Sequence, residues 1–155
     1  MDNTDHWLEH EHSLYEDLLW QCREEVETEE WEEVGLAFGK LVMLLKRHMA
    51  LEEEVLYPAY EASPHAPQGP TTALREEHDN IVRLVQDIAR LLKTRDSEHV
   101  LQSLVSLENQ MIKHHEKEED IFLPMAGYIL KDRRTELLRK LDEFDASKIQ
   151  RKWDI

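Results

Sequence analysis

Histidine and glutamate recur in this sequence as two copies of one pattern, 66 residues apart. Each copy has a single histidine, then a His-x-x-x-Glu motif 36 residues later, then a proline. The equivalent pairs are His12 and His78, His48 and His114, Glu52 and Glu118, and Pro58 and Pro124. At this composition the coincidence has a chance of about 0.2%, even when about a hundred offsets are allowed, so the pattern indicates an internal repeat.

The His-x-x-x-Glu motif brings two metal-binding groups together if it lies on a helix. Residues four apart on a helix lie one above the other, about 6 Å along the axis. Both motifs fall on the apolar side of their segments, so the carboxylates of Glu52 and Glu118 are expected to be buried. A buried carboxylate is costly unless it is paired or bound to a metal. The four histidines and two glutamates therefore predict a pair of divalent cations.

The ligand types narrow the choice of metal. Imidazole and carboxylate ligands suit iron or manganese, and a bridging carboxylate can hold two metals close together. Cys22 is the only cysteine, so a structural zinc site built on thiolates is not expected, although zinc could enter such a site adventitiously. We favour dinuclear non-haem iron (Fe2+/Fe3+), bridged by an oxo or hydroxo group.

The segments around these motifs have helical periodicity and few helix breakers. Apolar residues recur at three- and four-residue steps through four long segments, and no stretch alternates as a strand would. Four prolines and a glycine crowd residues 58–72, which we interpret as a loop. We expect Pro58 to end the second helix and Pro124 to end or bend the fourth, because proline disrupts a helix interior.

This periodicity predicts an all-α fold, an antiparallel up-down-up-down four-helix bundle with a short C-terminal helix. The two hairpins are expected at about residues 5–58 and 71–126, within a single domain of residues 1–155. The C-terminal helix and tail follow at about 131–155, with the helix at about 132–145 and a basic tail that frays.

Composition excludes several classes of function. The chain has 155 residues, with 34 Asp and Glu against 19 Lys and Arg and a formal charge of −15. An acidic surface repels phosphate backbones, so nucleic-acid binding is not expected. A single cysteine fits a reducing compartment, and neither a signal peptide nor a long apolar run is present. We therefore expect a cytoplasmic protein with no membrane partner.

The repeated motifs resemble those of the hemerythrin-like, or HHE cation-binding, family. The family pattern is a histidine on one helix and His-x-x-x-Glu on the next, and then both again. Here it reads His12, His48-x-x-x-Glu52, His78 and His114-x-x-x-Glu118, within about residues 8–126. Ferritin-like di-iron bundles use Glu-x-x-His, which occurs here only as Glu9-His12, so that class is disfavoured. The resemblance implies a di-iron site inside a four-helix bundle.

Two departures from the oxygen-carrying hemerythrins bear on function. Those proteins have a further histidine where this chain has Val82, and an aspartate ligand where it has Glu119. Four histidines and two glutamates resemble the bacterial members of the family that respond to nitric oxide and oxidative stress. With one imidazole fewer, the irons are expected to keep open positions for small ligands.

The expected metal ligands are His12, His48, Glu52, His78, His114 and Glu118. Residues expected to contact these ligands from outside are Glu119, Tyr15, Val82 and Met111. His115 points about 100° away from His114 on a helix, so we expect it at the surface. Glu11, Glu53 and Glu77 are expected to lie on solvated faces. No residue is assigned a catalytic role.

Two functions remain open at this stage. The first is a di-iron protein that binds O2, NO or peroxide in sensing or in the response to oxidative or nitrosative stress, with weak oxidase or peroxidase activity left open. The second is an iron-binding or storage protein, or a module that reports iron status to a protein partner without turnover. The ligand chemistry is common to both, so the sequence does not separate them.

Overall fold

The computed structural model describes the backbone of residues 3–153 and 155, and the side chains of residues 12–145, 147–153 and 155. Its helices are α1 (Asn3–Glu27), α2 (Trp31–Leu51), α3 (Tyr57–Glu61), α4 (Gly69–Thr94), α5 (Ser97–Lys117), α6 (Leu123–Ile129) and α7 (Arg134–Asp142). Two π-helical turns, π1 (Glu52–Leu56) and π2 (Glu118–Phe122), join α2 to α3 and α5 to α6 without a break. Short 3-10 turns lie at Lys131–Arg133 and Ala146–Lys148.

The long helices pack as a four-membered ring. Helix α1 packs against α2 and α5, and α4 packs against α5 and α2. The turn between α4 and α5 is tight because Arg95 takes the left-handed conformation (φ 54°) and the Asp96 carboxylate accepts from the backbone N–H of His99. The structure is 85% helical with no strand in the part of the chain that it describes, so the predicted all-α bundle is confirmed. No helix among these residues is long and apolar enough to cross a membrane.

The apolar core is divided into two clusters. One lies between the long parts of α1, α2, α4 and α5, and the other lies among π1, α3, π2, α6 and α7 near Leu74. Along α2 and π1 the first cluster ends at Met49 and the second begins at Leu56, and a similar gap separates the clusters on α4 and along α5 and π2. Most of the buried histidines and glutamates lie in these gaps, while His48 lies directly before Met49 and His12 lies one turn before Tyr15 on α1. The sequence therefore builds one polar layer between two apolar ones.

Pro58 does not end its helix, contrary to the sequence-based expectation, and Pro124, which was expected to end or bend the fourth helix, does not end it either. Each proline lies in the first turn after a π-helical turn, and the helices continue to Glu61 and Ile129. A proline in an α-helix clashes with the carbonyl four residues earlier. In the wider π turn, the backbone N–H of Tyr57, the residue before Pro58, donates to the carbonyl of Glu52 five residues earlier. This longer hydrogen-bonded loop leaves room for the proline ring. The repeat thus preserves a structural device as well as the ligand motif.

Cys22 gives a simple chemical test of the core. The side chain is fully buried, and this burial together with the charge of Glu25 raises the pKa of the thiol to about 12. Because the thiolate is the reactive form, we expect iodoacetamide at about pH 8 to leave the folded protein unmodified. The same reagent should label the protein in guanidinium chloride, as read by intact mass. Equal labelling rates in the two conditions would show that the Cys22 thiol is accessible in the folded protein.

Candidate metal centre

Seven buried polar residues meet in the layer between the two apolar clusters, each exposed by 8% or less. They are His12 on α1, His48 on α2, Glu52 in π1, His78 on α4, His114 and His115 on α5, and Glu118 in π2. All six residues that the sequence predicted as ligands are therefore brought together. His115 was not among those six.

The first group of potential ligands is Glu52, His78, His114 and Glu118, with one ligand atom of each within 4.8 Å of the others. Nε2 of His78 lies 3.0 Å from Nε2 of His114 and 3.2 Å from Oε1 of Glu52. His114 also contacts Glu118, its partner one turn along the helix. Two imidazoles and two carboxylates thus converge on one point.

The second group is His12, His48 and His115, again with one nitrogen of each within 4.8 Å of the others. The rings of His12 and His115 stack with centroids 3.4 Å apart and an interplanar angle of 9°. The prediction that His115 lies at the surface is therefore wrong. It does point away from His114, but α5 packs against α1 on that side as well as against α4. Met111, one turn before His115 and already placed on the buried stripe, was the signal that could have identified it.

The two carboxylates lie between the groups. Oε1 of Glu52 is 3.0 Å from Nε2 of His48, although Glu52 belongs to the first group. Oε2 of Glu118 is 3.9 Å from the same His48 nitrogen and 4.0 Å from Nε2 of His12. Each glutamate therefore reaches ligands of both groups, as a bridging carboxylate must.

Three further carboxylates, outside the two ligand groups, accept hydrogen bonds from the Nδ1 atoms of the imidazoles. Nδ1 of His12 donates to Glu119 at 2.5 Å, Nδ1 of His78 to Glu53 at 2.8 Å, and Nδ1 of His114 to Glu77 at 2.9 Å. A carboxylate can only accept, so these bonds place the proton on Nδ1 and leave Nε2 as the donor atom for a metal. The expected solvated faces for Glu53 and Glu77 are therefore wrong, and Glu11 lies outside the described side chains. Glu119 contacts His12 as its predicted outer role requires.

The pKa values follow from this arrangement. Burial, assisted by the neighbouring imidazoles, lowers the pKa of His115 to about 2 and also lowers that of His12, so both rings are neutral. Burial opposes the charged form of His114 too, but the charge of Glu118 and its hydrogen bonds to carboxylates raise its pKa to about 10. Burial would raise the pKa of Glu118, yet the contact with His114 holds it well below the usual range. His12 and His115 therefore offer lone pairs, while His114 holds a proton that a bound metal would displace.

Two tyrosines contact the centre on opposite sides. The hydroxyl of Tyr57 lies 3.3 Å from Oε2 of Glu52 and 3.5 Å from Oε1 of Glu118 and can donate its proton to either, and its ring stacks on His78. Sequence reasoning missed Tyr57 because a five-residue spacing from Glu52 shares a face only in a π turn. Tyr15 packs its ring against His48 and donates to the backbone carbonyl of Leu44 at 3.1 Å.

The other two residues that were predicted to contact the ligands from outside are apolar. Val82 and Met111 are buried in the larger apolar cluster, one helical turn beyond His78 and one turn before His115, respectively. They border the polar layer on that side.

The donor set fits a metal. Two of its atoms, Nε2 of His12 and Oε2 of Glu118, are buried and have no hydrogen bond to any described residue. They lie 4.0 Å apart. Such atoms are costly to bury unless something else binds them. Imidazole nitrogens and carboxylate oxygens together suit iron, manganese or zinc. The residues present therefore fit a divalent cation.

A helical bundle with this layer of histidines and carboxylates defines a metal-binding domain. The chain belongs to the hemerythrin HHE cation-binding domain family, whose sequence profile matches residues 3–126 and again residues 70–148. The two matches start at residues 3 and 70, an offset close to that of the repeat, so the family pattern carries the repeat as well. No curated protein and no solved structure matches the chain significantly.

The carboxylate behind His12 provides a graded test of the centre. Outer partners of metal-ligating histidines typically contribute about 10- to 100-fold in metal affinity. We expect Glu119→Gln to weaken Fe2+ binding by about that factor, because an amide orients the imidazole less strongly than a carboxylate does. Competition with a chelator under anaerobic conditions measures it. Glu116→Gln changes an exposed residue on α5, three positions earlier, and should leave the affinity unchanged. If the two variants bind iron equally well, Glu119 does not support the centre.

Proposed function

We propose that this chain is a non-haem di-iron protein that binds a small ligand, namely dioxygen, nitric oxide or peroxide, in sensing or in the response to oxidative or nitrosative stress. The observation that supports it is the placement of Glu52 and Glu118 between two groups of buried ligands. A carboxylate shared in this way can bridge two cations. The family is named for cation binding, which agrees with the proposal.

The ligand groups leave room for an external molecule. One iron would be held by His78 and His114, and the other by His12, His48 and His115. With the two shared glutamates, the first iron would have four protein donors and the second five. Iron commonly takes about six donors, so each metal would keep at least one position for a small ligand. When bound, the irons supply the redox chemistry and the ligand-binding positions.

His115 changes the basis of this proposal. The sequence predicted one imidazole fewer than in an oxygen carrier, but a fifth imidazole, that of His115, lies in the layer. Open positions now follow from the count of donors in each group. The first group, with fewer imidazoles, is the one we expect to bind the external ligand first.

The protein around the centre controls water and protons. The larger apolar cluster, which includes Val82 and Met111, borders the polar layer on one side, and the smaller cluster, which includes Phe122, borders it on the other side. Burial of this kind limits water access and tunes the redox potential of bound metals. The single proton of the Tyr57 hydroxyl lies within reach of both shared carboxylates and can be donated to either of them. A centre of this kind suits a small uncharged ligand better than a large or charged substrate.

Metal content and optical spectra test the proposal together. The protein is purified without a tag, and its metals are counted. It is then reduced anaerobically and exposed separately to O2, NO and peroxide. About two irons per chain and spectra that change with one of these ligands would support the proposal. Protein that cannot be loaded with iron would overturn it.

Iron storage or an iron-reporting module is the alternative outcome of the same experiment. In that case the chain would hold iron, but its spectra would not respond to the three ligands. We also propose a cytoplasmic location, since the single thiol of Cys22 suits a reducing compartment.

A further inference from the structure

The C-terminal segment of residues 150–153 lies against the bundle beside the metal centre. The backbone N–H of Gln150 donates to Glu54 at 3.2 Å, and Trp153 packs against the larger apolar cluster. Lys46 lies 5.9 Å from the centroid of the Trp153 ring. The expectation of a frayed tail is therefore wrong for this segment, because it is fixed by contacts on both sides of Arg151.

Arg151 makes the most specific of these contacts. Its Nε donates to Oε1 of Glu53 at 3.1 Å, and one terminal nitrogen donates to Oε2 at 2.7 Å. The pair is therefore bidentate. The other terminal nitrogen lies 2.8 Å from a carboxylate oxygen of Asp79 on α4. A planar guanidinium paired in this way fixes the orientation of the carboxylate as well as its charge.

Glu53 connects this arginine to the metal centre. Its Oε2 accepts from Nδ1 of His78 at 2.8 Å, and the His78 side chain is fully buried. The Glu53 side chain is only 12% exposed, so few alternative positions are open to it while Arg151 is in place. An unbroken chain of contacts thus runs from the tail through Arg151 and Glu53 to a residue of the first ligand group.

The carboxylate behind the equivalent histidine of the other half, His12, is more exposed. The residue equivalent to Glu53 is Glu119, whose side chain is 34% exposed. The contacts of Arg151 therefore lead, through Glu53, to the second-half histidine, His78.

We propose that Arg151 is a positioning residue that, through Glu53, holds the His78 imidazole in the orientation needed to bind metal, so that the C-terminal segment is part of the metal centre. The proposal rests on the proposed metal centre. Without the arginine, Glu53 can rotate toward solvent, and the His78 ring loses the acceptor that fixes its Nδ1 proton. Loss of such outer support typically weakens metal binding by about 10- to 100-fold.

The test compares Arg151→Gln with a matched control. Arg139→Gln removes another arginine from an ion pair, but that pair, with Glu143, is exposed and lies on the short helix α7. Fe2+ affinity is measured anaerobically by chelator competition, and nitrogen-detected NMR of the His78 ring is recorded in metal-free protein. We expect Arg151→Gln to weaken at least one equivalent of iron by about 10- to 100-fold and to change the protonation pattern of the ring. Arg151→Lys should give an intermediate affinity, because it keeps the charge but not the planar fork.

The outcomes distinguish the two proposals. If Arg151→Gln matches Arg139→Gln in both iron affinity and ring spectrum, the positioning role is overturned while the metal centre stands. If the wild-type protein binds no iron, the metal centre is overturned, and the ring spectrum alone decides whether Arg151 orients His78. Should Arg151→Gln fail to fold, Asp79→Asn is read in the same two assays, since it releases one side of the guanidinium and retains the arginine.

Discussion

Replacing His114 with alanine is expected to reduce iron binding by more than about 100-fold, which corresponds to at least about 2.8 kcal/mol. His114 lies 3.0 Å from His78, contacts Glu118 and is held from behind by Glu77. Its removal therefore takes away one of the two imidazoles of the first ligand group. Loss of a direct ligand should exceed the effect of changing an outer partner such as Glu119.

The matched control for this change is His65→Ala. His65 is an exposed histidine in the connection between α3 and α4, away from the polar layer. Iron content after anaerobic loading, and affinity by chelator competition, should match the wild type. Circular dichroism of both variants shows whether the bundle is intact. Iron retained by a folded His114→Ala protein at wild-type affinity would remove this residue from the centre.

Removal of the metal is expected to lower the thermal midpoint of unfolding by about 8 to 16 °C. A ligand that is present at about 1,000 times its dissociation constant and binds only the folded state stabilises that state by about 4 kcal/mol. For a chain of this size, 1 kcal/mol corresponds to about 2 to 4 °C. The physical source is the buried layer, where Glu52, Glu118 and the imidazoles are held out of water and a cation supplies the missing partner.

Calorimetry of iron-loaded and chelator-treated protein under anaerobic conditions measures this shift. The His114→Ala variant provides the internal control, because it loses a ligand of the first group but keeps the second group and should therefore show only part of the difference. Equal midpoints for the loaded and stripped wild-type protein would mean that the metal does not bind the folded state in preference to the unfolded one.

Much of this bundle could be predicted because each ligand lies on a helix with a clear apolar side. His48 and His114 occupy the same stripe as the leucines before them, so the 66-residue shift selects them and their glutamates together. Helical spacing is a local property, and local properties are readable in a single sequence.

The misses have a common physical origin. His115, Glu53 and Arg151 acquire their roles from neighbours far away in the chain, namely α1, His78 and Glu53. Nothing in the spacing along one helix shows which second helix covers the next face. The π turns were missed for a different reason, since they alter the helical period itself and so move Tyr57 onto the face of Glu52.

The interleaving of the two hairpins in each ligand group has a consequence for the topology of the chain. His12 and His48 come from the first hairpin and His115 from the second, while Glu52 joins three residues of the second hairpin in the other group. A bound cation would therefore act as a non-covalent cross-link between distant segments, closing long loops much as a disulfide does. The connection between α3 and α4 supplies no ligand, so its contribution is to keep the two halves at high effective concentration while the cross-link forms.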